Sequence, residues 1–267
     1  MWVTQSALSQ QIGRLEAELG VALLRRTPRG AELTAAGEDL LARAEIVLAQ
    51  IGHARDELDR HAGVTRGRVR VAATTIDTAR LPGALAVFHR EHPGLQVALR
   101  HGSSAEMAAL VHSGTADVAV TGSLAELPVG VSVEQLVEEP LRAMLPAGDA
   151  LAGGDPIGLG DLRERPFILA EPGSGLRETV MSACQRAGFS PVSLFEVSDP
   201  GTVRHLVHAE LAISVVPSSW FQLHGPEVAA ASLAEPAPRH RVNALTPSGG
   251  PTPAAALLLA ALHAVLS

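Results

Sequence analysis

The sequence has 267 residues, of which 46% are hydrophobic and 18% are charged, enough chain for one or two domains with a sizeable core. This composition excludes a disordered, collagen-like or coiled-coil protein as a whole. The single cysteine, Cys184, excludes an intramolecular disulfide framework and is typical of a reducing compartment.

Charge is distributed unevenly along the chain. The formal net charge is −7, and the sequence has no lysine. Up to Arg70 there are ten arginines and nine acidic residues, whereas the remainder has eleven arginines and nineteen acidic residues. A nucleic-acid surface is therefore expected only in the amino-terminal part, because the rest would repel a phosphate backbone. With neither a signal-peptide pattern nor an apolar run long enough for a bilayer, we expect a cytoplasmic protein with no membrane partner.

The amino-terminal part begins with a predicted helix over residues 4–19, where apolar residues recur at spacings of three and four and Gly20 ends the pattern. Residues 21–34 then predict a short hairpin. Residues 35–62 predict a long helix, whose apolar seam has another copy of itself as its natural partner. That seam consists of Leu41, Ala44, Leu48, Ile51 and Leu58.

After a short linker at residues 63–67, predicted strands alternate with predicted helices, which is typical of an α/β sheet with crossover connections. The predicted strands are residues 68–73, 95–100, 117–121, 167–170, 193–197 and 212–216. The predicted helices are residues 79–92, 105–113, 176–187, 202–208 and 254–266. We therefore predict two α/β lobes that share one cleft.

A long, ordered pattern of residues runs through the amino-terminal part and continues beyond it. It comprises Val3-Thr4-Gln5-Ser6-Ala7-Leu8-Ser9, Gln11-Ile12, Arg14-Leu15-Glu16, Glu18-Leu19-Gly20, Leu23-Leu24, Arg26-Thr27, Leu33-Thr34-Ala35-Ala36-Gly37, Gly67-Arg68-Val69-Arg70-Val71, His92-Pro93-Gly94 and Asp117-Val118-Ala119-Val120. In this pattern the sequence resembles the LysR-type transcriptional regulators.

The resemblance implies a partial winged helix-turn-helix domain and a long dimerisation helix in residues 1–62, followed by a hinge at residues 63–67. Residues 68–267 would form a two-lobe α/β effector domain similar to type 2 periplasmic binding proteins. The implied partners are double-stranded DNA, a small-molecule effector and further copies in a homodimer or homotetramer.

Small polar side chains at the start of a helix can reach base edges in the major groove. The residues predicted to contact DNA are Thr4, Gln5, Ser6, Ser9 and Gln10 on the recognition helix, and Arg26 and Arg29 on the wing. The alternative is that they are solvated residues of an amphipathic helix.

The sequence departs from the family pattern in two ways. Gln10 stands where the family usually has a basic residue, so the preferred DNA site is expected to differ. The family's first helix and nearly all of its second have no counterpart before Trp2, and the resemblance therefore implies an amino-terminal truncation. A recognition helix without that support is expected to be marginally stable. The alternative function is then an effector-binding protein that has lost DNA binding.

Hydroxyl groups follow the ends of several predicted strands. Because ligands bind at the carboxyl ends of strands in open α/β sheets, and helix amino termini there favour negative charge, we expect a small anionic effector. Few arginines fall in these loops, which favours a carboxylate over a phosphate. The predicted effector-binding residues are Thr74, Thr75, Ser103, Ser104, Thr121, Ser174 and Ser198. The alternative role of each is helix capping.

No other pattern predicts chemistry, so neither catalysis, a cofactor nor a metal is expected. The pairs His89 with His92 and His205 with His208 lack the further ligands of a metal site, and Ser174 lacks the outer glycine of a nucleophile elbow. Cys184 is expected in the core. An enzyme or solute-binding protein of the same architecture remains a third hypothesis, against which the missing catalytic constellation and signal peptide count.

Overall fold

The computed structural model describes residues 5–27, 30–41, 43, 44, 47, 51, 52, 67–124 and 126–266. The chain divides into two compact units, Met1–Leu58 and Asp59–Ser267. None of the helices in the described ranges combines the length and apolar character that a membrane crossing requires. The predicted linker before Gly67 and the end of the predicted long helix lie outside the described residues.

The amino-terminal unit contains the predicted helix, hairpin and start of the long helix. Helix α1 is Gln5–Leu19, and strands β1 (Leu24–Thr27) and β2 (Gly30–Leu33) pair antiparallel. In the following helix, α2, the described residues 35–41, 43, 44, 47, 51 and 52 are helical. Of the predicted seam, Leu41 and Ile51 are each 48% exposed, whereas Leu48 and Leu58 lie outside the described residues.

Polar contacts attach the hairpin to the two helices that flank it. The carboxylate of Glu16 on α1 accepts hydrogen bonds from the backbone N–H groups of Leu23, at 2.7 Å, and Leu24, at 3.0 Å. These bonds favour the ionised form and lower the pKa of Glu16. The hydroxyl of Thr34 accepts from the N–H of Gly37 and donates to the carbonyl of Ala22, so it both caps α2 and holds the hairpin entrance.

The first lobe of the second unit is built on parallel strands. Its elements are β3 (Gly67–Thr74), a 3-10 helix (Thr75–Arg80), α3 (Leu81–Glu91), β4 (Leu95–Gly102), α4 (Ser104–His112) and β5 (Val118–Thr121). Strand β3 lies parallel between β4 and β5. Phe88 of α3 packs on one face of this sheet with Leu258 of the carboxyl-terminal helix, and Met107 of α4 packs on the other.

The second lobe repeats the alternation of strands and helices. After β6 (Val131–Pro146) it contains a 3-10 helix (Leu159–Leu162), β7 (Pro166–Leu169), α5 (Gly175–Arg186), β8 (Val192–Glu196), α6 (Pro200–His208), β9 (Ile213–Pro217), a 3-10 helix (Ser218–Gln222) and β10 (Val228–Ser232). The chain then returns to the first lobe through β11 (Arg239–Pro247) and ends with α7 (Pro253–Leu266).

The long strand β6 joins the two lobes. Its residues 131–140 pair with β11, and from Leu141 onward it pairs with β9 and β10. Within the described residues of the second unit, strands β3 to β11 form one sheet of nine, in the order β4-β3-β5-β11-β6-β9-β7-β8 with β10 also on β6. The α/β prediction is confirmed, with each predicted strand and helix of residues 68–267 present within a few residues of its bounds. The prediction did not include β6, β10 or β11.

Candidate functional site

A cleft of about 200 Å³ lies between the two lobes at the carboxyl ends of their strands. The residues that line it are Thr74, Thr75, Ile76, Gly102, Ser103, Ser104, Glu106, Glu171, Pro172, Ser174 and Ser198. Six of the seven predicted effector-binding residues are in this set. The turns after β3, β4, β7 and β8 bring them together because parallel strands place those turns at one edge of each lobe.

Thr121 is the predicted residue that does not line the cleft. It is fully buried at the end of β5, opposite Asn243 of β11. Its hydroxyl has no hydrogen-bond partner among the described residues. The sequence interpretation treated β5 as a strand with an open end, whereas β11 covers its side and encloses Thr121.

Sequence reasoning missed two carboxylates of the cleft, Glu106 and Glu171. Glu106 stands three residues after Ser103, a spacing that is typical of a capping box and could have been recognised. Ser103 caps α4, with its hydroxyl accepting from the N–H of Glu106 at 3.3 Å and donating to Glu106 Oε2 at 2.9 Å. The Ser103 N–H donates to the same oxygen, and these bonds lower the pKa of Glu106.

The second lobe contributes Ser174 and Ser198. Ser174 is the N-cap of α5, where its hydroxyl accepts from the N–H of Arg177. The hydroxyl of Ser198 accepts from the N–H of Glu171 at 3.2 Å. Ser103 and Ser174 therefore do cap helices, as the alternative role predicted, and both residues also line the cleft.

A buried polar chain lies behind the cleft wall of the first lobe. The hydroxyl of Thr74 donates to one oxygen of Asp77, and His240 Nε2 lies 2.8 Å from the other. All three residues are at most 5% exposed. An ionised carboxylate can only accept, so His240 Nε2 carries the proton in this bond. The indole of Trp220 donates to the carbonyl of Ile76 at 3.2 Å and ties this same turn to the second lobe.

No arginine or lysine is among the described residues that line the cleft. Arg177 follows the cleft residue Ser174, but its guanidinium bonds to the carbonyl of Ala170 at 2.9 Å and to Glu196 at 2.8 Å. The side chain of Arg80 lies outside the described part of the chain. The donors that the described lining residues offer at this edge are therefore hydroxyls and backbone N–H groups.

The remaining candidates occupy structural positions. His205 and His208 each bond through Nδ1 to a backbone carbonyl, that of Gly201 and that of Glu227, and no metal-binding group occurs among the described residues. His92 packs against Phe88. Cys184 is fully buried on α5, and this burial raises the pKa of its thiol to about 11. A thiol in that environment is inert at neutral pH.

The predicted DNA-contacting residues fall on the first helix and the hairpin of the amino-terminal unit. Ser9 and Gln10 are exposed on α1, which also contains Gln5 and Ser6. Arg26 lies on β1, whereas Thr4 and Arg29 are outside the described residues. The helix also exposes Leu8, at 54%, and Leu15, at 40%.

Known proteins share these features over both units. Residues 62–267 match the family model of the LysR substrate binding domain, and residues 1–38 match that of the bacterial regulatory helix-turn-helix protein, lysR family. The transcriptional dual regulator GltC of Bacillus subtilis is 31% identical over 217 residues, covering 81% of this chain and 72% of GltC. The HTH-type transcriptional regulator YnfL of Escherichia coli is 31% identical over 237 residues, covering 87% of this chain and 80% of YnfL.

Solved structures give the same relationship. CbnR, a LysR family transcriptional regulator, superposes with a TM-score of 0.76 at 26% identity over 99% of this chain and 91% of CbnR. CbnR complexed with its target DNA superposes equally well, over 98% of this chain. These matches cover the helix-turn-helix as well as the two lobes, and they support a DNA-binding regulator over an enzyme or an isolated effector-binding protein. The chain belongs to the LysR family of transcriptional regulators.

Proposed function

We propose that this regulator contacts DNA through the exposed polar face of α1 and the β1–β2 wing, and that a small carboxylate bound between its lobes controls this activity in the cytoplasm. The observation that carries the proposal is the cleft itself, where six hydroxyl-bearing residues predicted from sequence converge from four separate turns. Residues 1–62 act as the DNA-binding and dimerisation part, residues 63–67 as the hinge and residues 68–267 as the effector domain.

The charges around the cleft favour a carboxylate over a phosphate. No cationic side chain is among its described lining residues, whereas hydroxyls and the amino terminus of α5 offer neutral donors. Such donors can satisfy one carboxylate, but a phosphate ester carries more charge and usually recruits guanidinium groups. Glu106 and Glu171 add negative charge to the lining and disfavour a ligand with several anionic groups.

The DNA-contacting role of α1 is tested by substitution of its exposed polar residues. We expect Ser9→Ala and Gln10→Ala to weaken binding to a duplex selected for binding by the wild-type chain, because each removes a group that can reach a base edge or phosphate. The matched control is Ser182→Ala, a serine on the surface of α5. Fluorescence anisotropy at one fixed salt concentration measures the affinities. Equal affinity of all variants would refute this role.

The cleft is tested with Thr75→Ala and Ser104→Ala. If these residues contact the effector, the change in DNA binding that the effector produces is weakened while the melting temperature of the chain is nearly unchanged. If their hydroxyls serve only the fold, stability falls by about 1 kcal/mol and the response to the effector stays intact. Calorimetry against aromatic and aliphatic carboxylates measures the first effect, and thermal unfolding measures the second. Binding of neutral or cationic compounds alone would refute a carboxylate site.

A further inference from the structure

The two walls of the cleft differ in the hydrogen-bonding groups that they present. The polar residues of the first-lobe wall are Thr74, Thr75, Ser103, Ser104 and Glu106, and those of the second-lobe wall are Glu171, Ser174 and Ser198. A hydroxyl has one proton to donate and two lone pairs that accept. The bonds within each wall therefore determine whether a hydroxyl can still donate to a ligand.

On the first lobe, the hydroxyl protons of Thr74 and Ser103 are already used. Thr74 donates to Asp77, a buried carboxylate that also accepts from His240 and can only accept while ionised. Ser103 donates to Glu106 Oε2, which also accepts the Ser103 N–H. What these residues still offer a ligand is lone pairs on Thr74 and the carboxylate of Glu106. The part of the wall formed by Thr74 and Glu106 therefore accepts hydrogen bonds and is negatively charged, whereas Thr75 and Ser104 add further hydroxyls to the same wall.

On the second lobe, the bonds have the opposite sense. The hydroxyls of Ser174 and Ser198 both accept from backbone N–H groups, those of Arg177 and Glu171, so each hydroxyl keeps its proton for a ligand. Ser174 also stands at the amino terminus of the 12-residue helix α5, where the helix dipole favours an anion. The two hydroxyls and the helix terminus of this wall donate hydrogen bonds and suit a carboxylate, and the wall also contains the carboxylate of Glu171.

We infer that the effector is a small carboxylate that also carries an ammonium group, with the ammonium against Thr74 and Glu106 and the carboxylate against Ser174 and Ser198. An amino acid has this pair of groups, whereas a simple carboxylic acid would leave the Glu106 carboxylate without a cationic partner among the described lining residues. Asp77 and His240 act as positioning residues, since they hold the Thr74 hydroxyl with its lone pairs toward the cleft. The inference rests on the proposed effector role of the cleft.

Matched compounds separate the two ends of the ligand. Calorimetry with the whole chain compares each standard L-amino acid with its deaminated acid, its 2-hydroxy acid and its decarboxylated amine. We expect at least one amino acid to bind, with both the deaminated acid and the amine at least roughly ten-fold weaker, because each lacks one charge-assisted set of hydrogen bonds. A 2-hydroxy acid that binds as tightly as the corresponding amino acid would refute the inference that the ligand carries an ammonium group.

Substitutions assign each end to its wall. Thr74→Val removes the accepting oxygen at nearly constant shape, and Glu106→Gln removes the charge while glutamine can still complete the capping box. Each is expected to weaken binding of the amino acid by roughly ten-fold and to leave the weaker binding of the deaminated acid unchanged. Ser198→Ala is expected to weaken both compounds. Glu91→Gln, at the far end of α3, is the control and should change neither.

Two outcomes overturn this assignment. If deaminated acids bind as tightly as amino acids, and Thr74→Val and Glu106→Gln have no effect, then Thr74 and Glu106 do not bind an ammonium group. Failure of every amino acid to bind the wild-type chain would reject the ligand class. Neither result affects the proposed function, which fails separately if Thr75→Ala and Ser104→Ala leave the effector response of DNA binding intact. Thermal unfolding of each variant confirms that a loss of binding is not a loss of fold.

Discussion

At the scale of single residues, the charged side chains of this chain mostly hold turns rather than form a reactive centre. Glu16 fixes the hairpin entrance, Glu106 closes the cap of α4, and Arg177 is held by a carbonyl and by Glu196. Cys184 is buried with a pKa raised to about 11, so its thiol is unsuited to sensing oxidants. In our proposal, the chemical specificity of the cleft therefore comes from the orientation of its hydroxyls and from the charge of Glu106.

Asp149 provides a test of stability against pH. Its carboxylate accepts from Arg165 at 2.7 Å and from the N–H of Leu151 at 3.1 Å, and the bond from Arg165 is the main reason that its pKa is lowered from 3.8. Because the folded pKa is depressed, the stability that it contributes is present above the unfolded pKa and is lost as the pH falls through the folded one.

We therefore expect Asp149→Asn to lower the free energy of unfolding by about 0.5–1 kcal/mol at pH 7, as for a partly exposed ion pair. Urea unfolding of wild type and variant at a series of pH values measures the difference. The two curves should converge as the pH falls below the lowered folded pKa of Asp149, where the wild-type carboxylate is protonated too. A difference that persists at low pH would mean that the ion pair is not its cause.

At the scale of elements, close backbone contacts explain why particular glycines occur in the sequence. A Cβ atom on Gly37, in the first turn of α2, would lie 2.1 Å from the carbonyl oxygen of Leu23. That oxygen also accepts the N–H of Thr34, so it cannot move away without breaking the junction between hairpin and helix. The glycine fixes how closely α2 approaches the hairpin.

We expect Gly37→Ala to destabilise the amino-terminal unit by about 1–3 kcal/mol, the usual cost of overpacking. Gly13→Ala is the matched control, since no atom lies within 4 Å of its added Cβ and alanine favours the helix by about 1 kcal/mol. Chemical unfolding followed by circular dichroism measures both. A Gly37→Ala variant as stable as wild type would show that the junction can relax.

The exposed apolar residues of α2 allow a test of self-association. Leu41 and Ile51 are each 48% exposed and Val47 is 58% exposed. Replacement of Leu41 and Ile51 by glutamate is expected to lower the oligomeric state, because charges would be buried in a helix–helix seam. Light scattering measures the mass. Leu257→Glu, on the exposed side of α7, is the control, and an unchanged mass in the α2 variant would reject this seam.

At the scale of the whole effector domain, the two lobes meet closely at one point beside the cleft. A Cβ atom on Gly175, the first residue of α5, would lie 2.3 Å from the carbonyl oxygen of Ser123 in the first lobe. The observed closure of the lobes therefore requires glycine at this position. Its neighbour Ser174 lines the cleft, so any opening at this contact moves the donor wall directly.

Gly175→Ala is expected to separate the lobes and weaken effector binding while each lobe stays folded. Small-angle scattering should show a larger radius of gyration, and calorimetry a lower affinity for the effector. Gly160→Ala is the control, because the nearest atom to its added Cβ is the flexible end of Arg163 at 3.9 Å. Unchanged scattering and affinity would show that the lobes can close without this glycine.

The sequence by itself determined the strand–helix units and most of the cleft. Periodic apolar residues, capping residues and turn residues are local signals, so helices α1, α3 to α7 and strands β3, β4, β5, β7, β8 and β9 were predictable. The rule that parallel strands end at one edge then grouped Thr74, Ser103, Ser174 and Ser198 before their contacts were known.

The positions of β6 and β11 in the sheet follow only from the tertiary structure. Both connect segments that are distant in sequence: β6 passes from one lobe to the other, and β11 inserts between β5 and β6 and encloses Thr121. The partners that orient the hydroxyls of Thr74, Ser103 and Ser174 lie three residues further along the chain and are local. The bond between Asp77 and His240 forms only when β11 returns to the first lobe, and Ser198 reaches the N–H of Glu171 only because β7 and β8 end side by side, so these two contacts depend on the tertiary structure.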